Sequence, residues 1–196
     1  MNFSTKNIIL TILCFILGAG VVFSRQKKKM SSKEYLGMTN KKILVAYFSF
    51  SGNTKAIAEK IHAQVGGDIF RIETKTPYPS DYDETAYGIA KEQHEKGIKP
   101  ELKDNGDVSS YDIIFVGTPA WWYEMAPAVK TFLSKNNFES KIIIPFITHG
   151  GGGKYQIKEE IGKFAKGSIV KEPFVVYGKG TSSIDEDIEK WLDNLK

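Results

Sequence analysis

Three short stretches of this chain gather residue types that suit a ligand better than a core. Ser49-Phe50-Ser51-Gly52-Asn53-Thr54 sets three hydroxyls and an amide into six positions. A helical spacing begins at Asn53, so the stretch also ends on the free backbone N–H groups of a helix start, where an anion is favoured. Gly52 lets the backbone come close to whatever binds. Ser49, Ser51, Gly52, Asn53 and Thr54 together suit a phosphate dianion. Ser, Asn and Thr are also ordinary helix caps; one such residue would satisfy that role, and four exceed it. The stretch lacks the first glycine of a Walker loop, Lys55 follows Thr54 instead of preceding it, and one glycine is too few for a dinucleotide fingerprint.

The second stretch is Thr118-Pro119-Ala120-Trp121-Trp122-Tyr123-Glu124. Consecutive side chains point in different directions, so at least one of these aromatics must be exposed or cover a ligand, unless all pack beneath the loop. The third is Thr148-His149-Gly150-Gly151-Gly152-Gly153. Its glycines permit close backbone approach to a ligand, with a flexible turn as the plain alternative. His149 reads as a loop residue with a polar partner, not as a general base. His62 and His94 fall in helical stretches and read as surface residues. No catalytic residue and no metal-ligand set emerges. The one cysteine, Cys14, lies in an apolar run, so the rest of the chain has no thiolate or disulfide, and redox chemistry there needs a bound cofactor.

The elements that must position these stretches alternate along the chain. Ile43–Phe48, Asp68–Glu73, Tyr111–Val116, Lys141–Thr148 and Ile169–Tyr177 read as strands, the last interrupted at Pro173. Asn53–Val65, Asp83–Lys96, Ala126–Ser134, Tyr155–Ala165 and Ser183–Leu195 read as helices. Five strands alternating with five helices predict an α/β three-layer sandwich around a parallel sheet, with right-handed crossovers. Such sheets bind ligands beyond the carboxyl ends of their strands, where the strand order switches. All three stretches follow strands.

Here the residues resemble a known family. "ILVAYFSFSGNTKAIAEKI", "YDIIFVGTPAWWYEMAPAVKTFL" and "IIPFITHGGGG" stand in the order and spacing of the flavodoxins, and most resemble the subgroup with a Trp-Trp loop and a Thr-(Ser/His)-Gly-Gly element. The stretches Tyr78-Pro79 to Tyr82 and Tyr87 to Pro100 are similar as well. The resemblance spans about Lys41 to Lys196 and implies a five-stranded sheet in the order 2-1-3-4-5 with FMN as cofactor. It implies that Ser49, Ser51, Gly52, Asn53 and Thr54 cradle the FMN phosphate. It places Thr118, Pro119, Ala120, Trp121, Trp122 and Tyr123 beside the isoalloxazine, and Thr148, His149, Gly150, Gly151 and Gly152 at its other edge. The implied function is electron transfer to a redox partner protein or a small acceptor. The alternative is an NAD(P)H reductase acting on quinone-like acceptors. The crowded aromatic loop would fill the space a second ring needs, which favours the carrier. Two departures stand out: no glycine lies between Thr118 and Met125, where many members have one facing flavin N5, and the domain is not acidic.

The charge is divided unevenly. Six basic residues against Glu34 precede Lys41, leaving 21 basic and 22 acidic residues from Lys41 onward. No basic patch runs through the domain, so a nucleic-acid partner is not expected. Ile8–Phe23 is uncharged, with Lys6 before it and Arg25, Lys27, Lys28 and Lys29 after it. Three organisations fit residues 1–24: a retained hydrophobic helix anchoring a cytoplasmic domain to the membrane, a cleaved signal peptide that exports it, or a start site placed too far upstream of Met30 and Met38. A lipoprotein does not fit, because Leu13 before Cys14 is too large. Residues 25–40 read as a basic polar linker, and 41–196 as the domain.

Overall fold

The computed structural model describes residues 40–195; the expected N-terminal hydrophobic helix and most of the linker lie outside them. Among the described residues no helix is long and apolar enough to cross a membrane.

The central sheet is built from β1 (Ile43–Tyr47), β2 (Asp68–Arg71), β3 (Ile113–Trp121), β5 (Ile142–His149) and β6 (Ile169–Val170) in the order β2-β1-β3-β5-β6, all parallel. Two further strands correct the expected count of five to seven. β4 (Glu124–Met125) folds back antiparallel on the end of β3, and β7 (Phe174–Tyr177) continues along β5 beyond β6. Both corrections have local causes. Ile143 pairs with Val170 and Phe146 with Phe174, so one extra residue is accommodated between β6 and β7. Pro173 lies in that gap and has no N–H to give the ladder. β3 runs past its expected end at Val116 because β5 pairs with it as far as Pro119–Thr148.

The apolar runs alternate between two cores, as strands buried on both faces must. Ile43, Val45 and Tyr47 of β1 join Ile113 and Phe115 of β3 on one side, beneath α1 (Asn53–Val65) and α5 (Ile184–Asp193). Leu44 and Ala46 join Ile114, Val116 and Ile147 on the other, beneath α3 (Pro127–Lys135) and α4 (Ile157–Phe164). α1 buries Ile57, Ala58, Ile61 and Val65, one face of a 3.6-residue repeat, and begins and ends where its spacing predicts. Gly117 sits where the sheet leaves no room: a Cβ there would lie 2.2 Å from the Phe146 ring and 2.9 Å from Tyr47 Cβ.

The helix expected over Asp83–Lys96 is divided. A π-helical turn, Glu84–Ile89, leads into α2 (Ala90–Glu95). The Ala90 N–H reaches back five residues to Thr85 O, while the Trp122 indole donates to Ala86 O at 2.7 Å. A carbonyl drawn out toward an indole is one way a helix opens into a π turn.

Candidate functional site

The three stretches meet at the carboxyl end of the sheet, where the crossovers from β1 and β3 leave in opposite directions. They enclose a cleft of about 260 Å³ lined by Ser51 and Asn53, by Pro119, Ala120 and Trp121, and by Thr148, His149 and Gly150. Tyr82, Tyr177 and Gly178 complete the wall. Sequence reasoning missed these three. Tyr177 ends β7, so the same carboxyl-end rule that selected the other loops would have found it. Tyr82 ends the Tyr78-Pro79 to Tyr82 stretch that resembles the family, a signal to which no site role was attached.

The first loop turns on Gly52 at φ 91°, and α1 starts immediately after it. The first turn of α1 has no side-chain cap and no acidic residue, whereas α4 opens with Glu159 and Glu160, and α5 with Asp185, Glu186 and Asp187. Carboxylates in a first turn offset the helix dipole, and α1, like α3, leaves that place open. Thr54 is buried, and its Oγ1 lies 2.8 Å from Thr148 Oγ1, tying the first loop to the third. Ser49 is buried, and its Oγ has no hydrogen-bond partner. It lines a neighbouring hollow with Phe50, Arg71 and Tyr78 instead of the cleft itself.

The second loop is a β-hairpin. Ala120 pairs with Met125 and Trp121 with Glu124, leaving Trp122 (φ 48°) and Tyr123 (φ 69°) as a two-residue turn. Positive φ at both central positions is the type I′ geometry that suits strand twist, usually built from Asn and Gly. The three aromatics therefore separate. Trp121 turns inward, edge-on to Phe48, Phe50 and Tyr78. Burial pushes the Tyr78 hydroxyl well above the usual tyrosine range, against the opposing effect of its 2.7 Å bond to Gln93. Trp122 packs against Tyr87 and its own Ala86 bond. Tyr123 is exposed beside Tyr155. Thr118 is fully buried beneath the cleft: its hydroxyl donates to Pro119 O and accepts from Ala126 N–H, both at 2.9 Å.

The hairpin does not fill the space beside the cleft, contrary to the expectation from its bulk. Because Trp122 turns toward Ala86 and Tyr123 points outward, a hollow of about 280 Å³ opens between them, adjoining the cleft through Tyr82, Ala120 and Trp121.

Ionic contacts hold the hairpin from behind. The half-buried Lys130 pairs with Glu124 and, at 2.8 Å, with Glu160; Glu160 also accepts from Met125 N–H at 2.8 Å. His94 Nδ1 donates to Glu124 at 2.9 Å, so this partly exposed histidine also belongs to the scaffold behind the site. Burial opposes the Lys130 charge, but the two carboxylates outweigh it and raise its pKa. Burial likewise opposes the Glu124 charge, and Lys130 and His94 outweigh it and lower its pKa.

In the third loop, His149 Nδ1 accepts from Gly151 N–H at 3.1 Å and its ring meets Tyr177 edge-on, which is the polar loop role expected of it. A Cβ on Gly152 would fall 1.2 Å from the Tyr155 hydroxyl, so a larger residue there would displace that ring. Gly151 and Gly152 lie outside the cleft wall, as do Trp122 and Tyr123. Among the described residues no cluster of His, Cys, Asp and Glu could hold a metal ion.

Comparison with known proteins agrees with this architecture. The chain is 30% identical to a solved flavoprotein of Bacteroides eggerthii DSM 20697, covering 80% of this chain and 98% of that one with a TM-score of 0.68. A flavoprotein of Lactobacillus acidophilus NCFM, solved in complex with FMN, is 26% identical, with 77% and 98% of the two chains covered and a TM-score of 0.59. A Bacteroides uniformis ATCC 8492 chain at 24% identity shares the fold, with 79% and 99% covered and a TM-score of 0.67. No curated protein matches the chain. The flavodoxin family model matches residues 42–195, nearly all of the described structure, and the chain belongs to the flavodoxin family.

Proposed function

We propose that this protein binds FMN non-covalently in the cleft and uses it to transfer electrons. The observation that carries the reading is the convergence of the three loops on one cleft, with an uncapped, carboxylate-free helix start at one end and aromatic side chains along its walls. The residues fit the group. The hydroxyl of Ser51 and the amide of Asn53 line the cleft at the start of α1, whose first turn carries no carboxylate. Ser51, Asn53, Thr54 and the first N–H groups of α1 would hold the phosphate. Trp121, Tyr82 and Tyr177 would flank the ring, with Ala120 and Gly150 at its edges. FMN supplies one- or two-electron chemistry when bound, and the protein supplies binding, orientation and polarity. The similarity to a protein solved with FMN supports the same cofactor.

The reading extends to a domain tethered to the membrane through residues 8–23 and facing the cytoplasm, supported by the uncharged run and the basic cluster that follows it. A second reading, an FMN-dependent reductase of quinone-like acceptors using NAD(P)H, is favoured by the open hollow against the cleft. Titration of the purified chain with FMN tests the main claim. One FMN per chain and a yellow protein are expected; a chain that stays colourless at saturating FMN would reject it. NAD(P)H oxidation by the pure protein, without a second protein, would move the reading from carrier to reductase.

A further inference from the structure

The Trp122 indole takes a backbone acceptor that a regular helix would keep for itself. It donates to Ala86 O at 2.7 Å. In an α-helix that carbonyl accepts from the N–H four residues on, which is that of Ala90. Here the Ala90 N–H goes to Thr85 O instead, and Glu84–Ile89 is a π-helical turn. We propose that Trp122 is a positioning residue for the flavin: its indole holds the turn in π register, and the turn holds Tyr82 in the wall of the cleft. The proposal rests on the FMN reading for its purpose; the latch itself rests on this chain's own hydrogen bonds.

A chain of contacts runs from the hairpin tip to the cleft. Tyr82 lines the cleft although it is 60% exposed. Among the described residues its one ring contact is with Tyr87, edge-on with centroids 6.3 Å apart. Tyr87 in turn stands edge-on to Trp122 at 5.8 Å. Lys91 sits over the Trp122 ring at 5.6 Å, so Ala86, Tyr87 and Lys91 of one segment all meet the same indole. The stretch that carries Tyr82 is tied into the turn. Thr85 is fully buried; its hydroxyl donates to Pro79 O at 2.8 Å and its N–H to Asp81 O at 3.2 Å. The Glu84 N–H donates to Asp81 Oδ1 at 2.8 Å. Residues 79–85 therefore follow the turn, with Tyr82 in their middle.

The turn has a second register within reach. With the indole in place, Ala86 O is satisfied from outside and the Ala90 N–H is left to Thr85. Without the indole, Ala86 O loses its partner and offers Ala90 the ordinary α-helical bond; π turns are rare and mark places where something imposes them. Returning to the α register re-indexes the preceding residues by one position, a rotation of about 100° and a shift of about 1.5 Å. The change falls on residues 79–85. They lie between Tyr78, which Gln93 holds at 2.7 Å, and α2, which His94 ties to Glu124. Tyr82 would then leave the wall. The backbone of Trp122 fits this role. It takes φ 48° at a turn position that Asn or Gly would occupy with less strain, and from there its indole reaches Ala86.

The test is titration of the flavin-free full chain with FMN, followed by quenching of flavin fluorescence. Trp122→Phe keeps a ring and removes the N–H, and should weaken FMN by about fivefold; Tyr82→Ala should do the same. In the double variant the second substitution should cost less than about twofold, because both act on one contact. Tyr87→Ala leaves the hairpin and the indole bond intact but removes the ring between Trp122 and Tyr82, and should weaken FMN by about threefold. The register is read by NMR through-hydrogen-bond coupling, which should link the Ala90 amide to the Thr85 carbonyl in the wild type and to the Ala86 carbonyl in Trp122→Phe. Losses that multiply in the double variant, FMN affinity unchanged in Trp122→Phe or in Tyr87→Ala, or an Ala90 amide still coupled to Thr85 in Trp122→Phe would each overturn the proposal. A wild-type chain that holds no FMN would reject the flavin reading alone, and the Ala90 coupling in that chain would still decide the latch.

Discussion

Thr54 and Thr148 share a 2.8 Å hydrogen bond between two buried hydroxyls, so only one of their two protons is left for a phosphate. A hydroxyl has one proton and two lone pairs. If Thr148 donates to Thr54, the Thr54 proton is left for the ligand. Thr54→Val keeps the shape and removes it. Losing a hydrogen bond to a charged group costs about 1.5–3 kcal/mol, so FMN affinity should fall by about one to two decades. Riboflavin, which has no phosphate, should change little; equal loss for both ligands in calorimetric titrations would remove Thr54 from the phosphate site. Ala120 raises a different issue. It is the smallest residue of the loop in which the resemblance would lead one to expect a glycine, and its backbone is held in the ladder opposite Met125. A peptide flip there would break that pairing and set a non-glycine residue at positive φ, at about 1–3 kcal/mol. One-electron-reduced flavin that depends on such a flip should be about one to two decades less populated. Reductive titration followed by absorbance should show little of the neutral blue form. An abundant blue form would mean that another loop supplies the acceptor.

At the scale of elements, the hairpin of β3 and β4 decides where the aromatics go, and it was the part least legible in the sequence. The strands and α1 were legible because burial on both faces leaves continuous apolar runs such as Ile43–Tyr47, and one-faced burial leaves Ile57, Ile61 and Val65 in helical register. The type I′ turn was not, because its usual signal is Asn-Gly and here Trp122 and Tyr123 occupy it. Tertiary contacts impose that conformation: the Ala86 carbonyl on the indole, and Lys130 and Glu160 behind. The cleft loops were readable from their residue types, but Tyr82 and Tyr177 come from separate segments that only the fold brings together. Lys130→Met tests the support. It leaves Glu160 partly buried without its cation and Glu124 with only His94. Breaking a fully buried pair costs about 3–5 kcal/mol; with Glu124 40% exposed, about 2–3 kcal/mol is expected by urea unfolding at pH 7. The lowered Glu124 pKa means its contribution is present above the ordinary carboxylate pKa and is lost as pH falls through the lower folded value. The raised Lys130 pKa means its contribution is present below the ordinary lysine value and is lost as pH rises through the higher folded one. The wild-type advantage should therefore be level between about pH 5 and 10 and shrink on either side. A gap unchanged at pH 3 would show that the ion pair does not stabilise the hairpin.

At the scale of the whole molecule, the charge is carried mostly by the segment before the domain. The 21 basic and 22 acidic residues after Asn40 nearly cancel, and the basic excess lies in residues 1–40. A domain without a strong field of its own cannot steer a distant charged partner effectively. Confinement to a surface is another way to raise encounter rates, by raising effective concentration. The hydrophobic run at 8–23 provides such confinement if it is retained in the bilayer. Orientation then follows from its flanks. Arg25, Lys27, Lys28 and Lys29 follow the run, against Lys6 and the terminal amine before it. The more basic side stays in the cytoplasm, so the domain should face inward, where FMN and reduced nicotinamides are available. Two measurements check this. The full chain should remain with the membrane fraction through an alkaline wash, and protease added to intact cells should leave the domain uncut while the same protease cuts it after lysis. A mature N-terminus near Arg25, or digestion in intact cells, would instead identify an exported protein released from its leader.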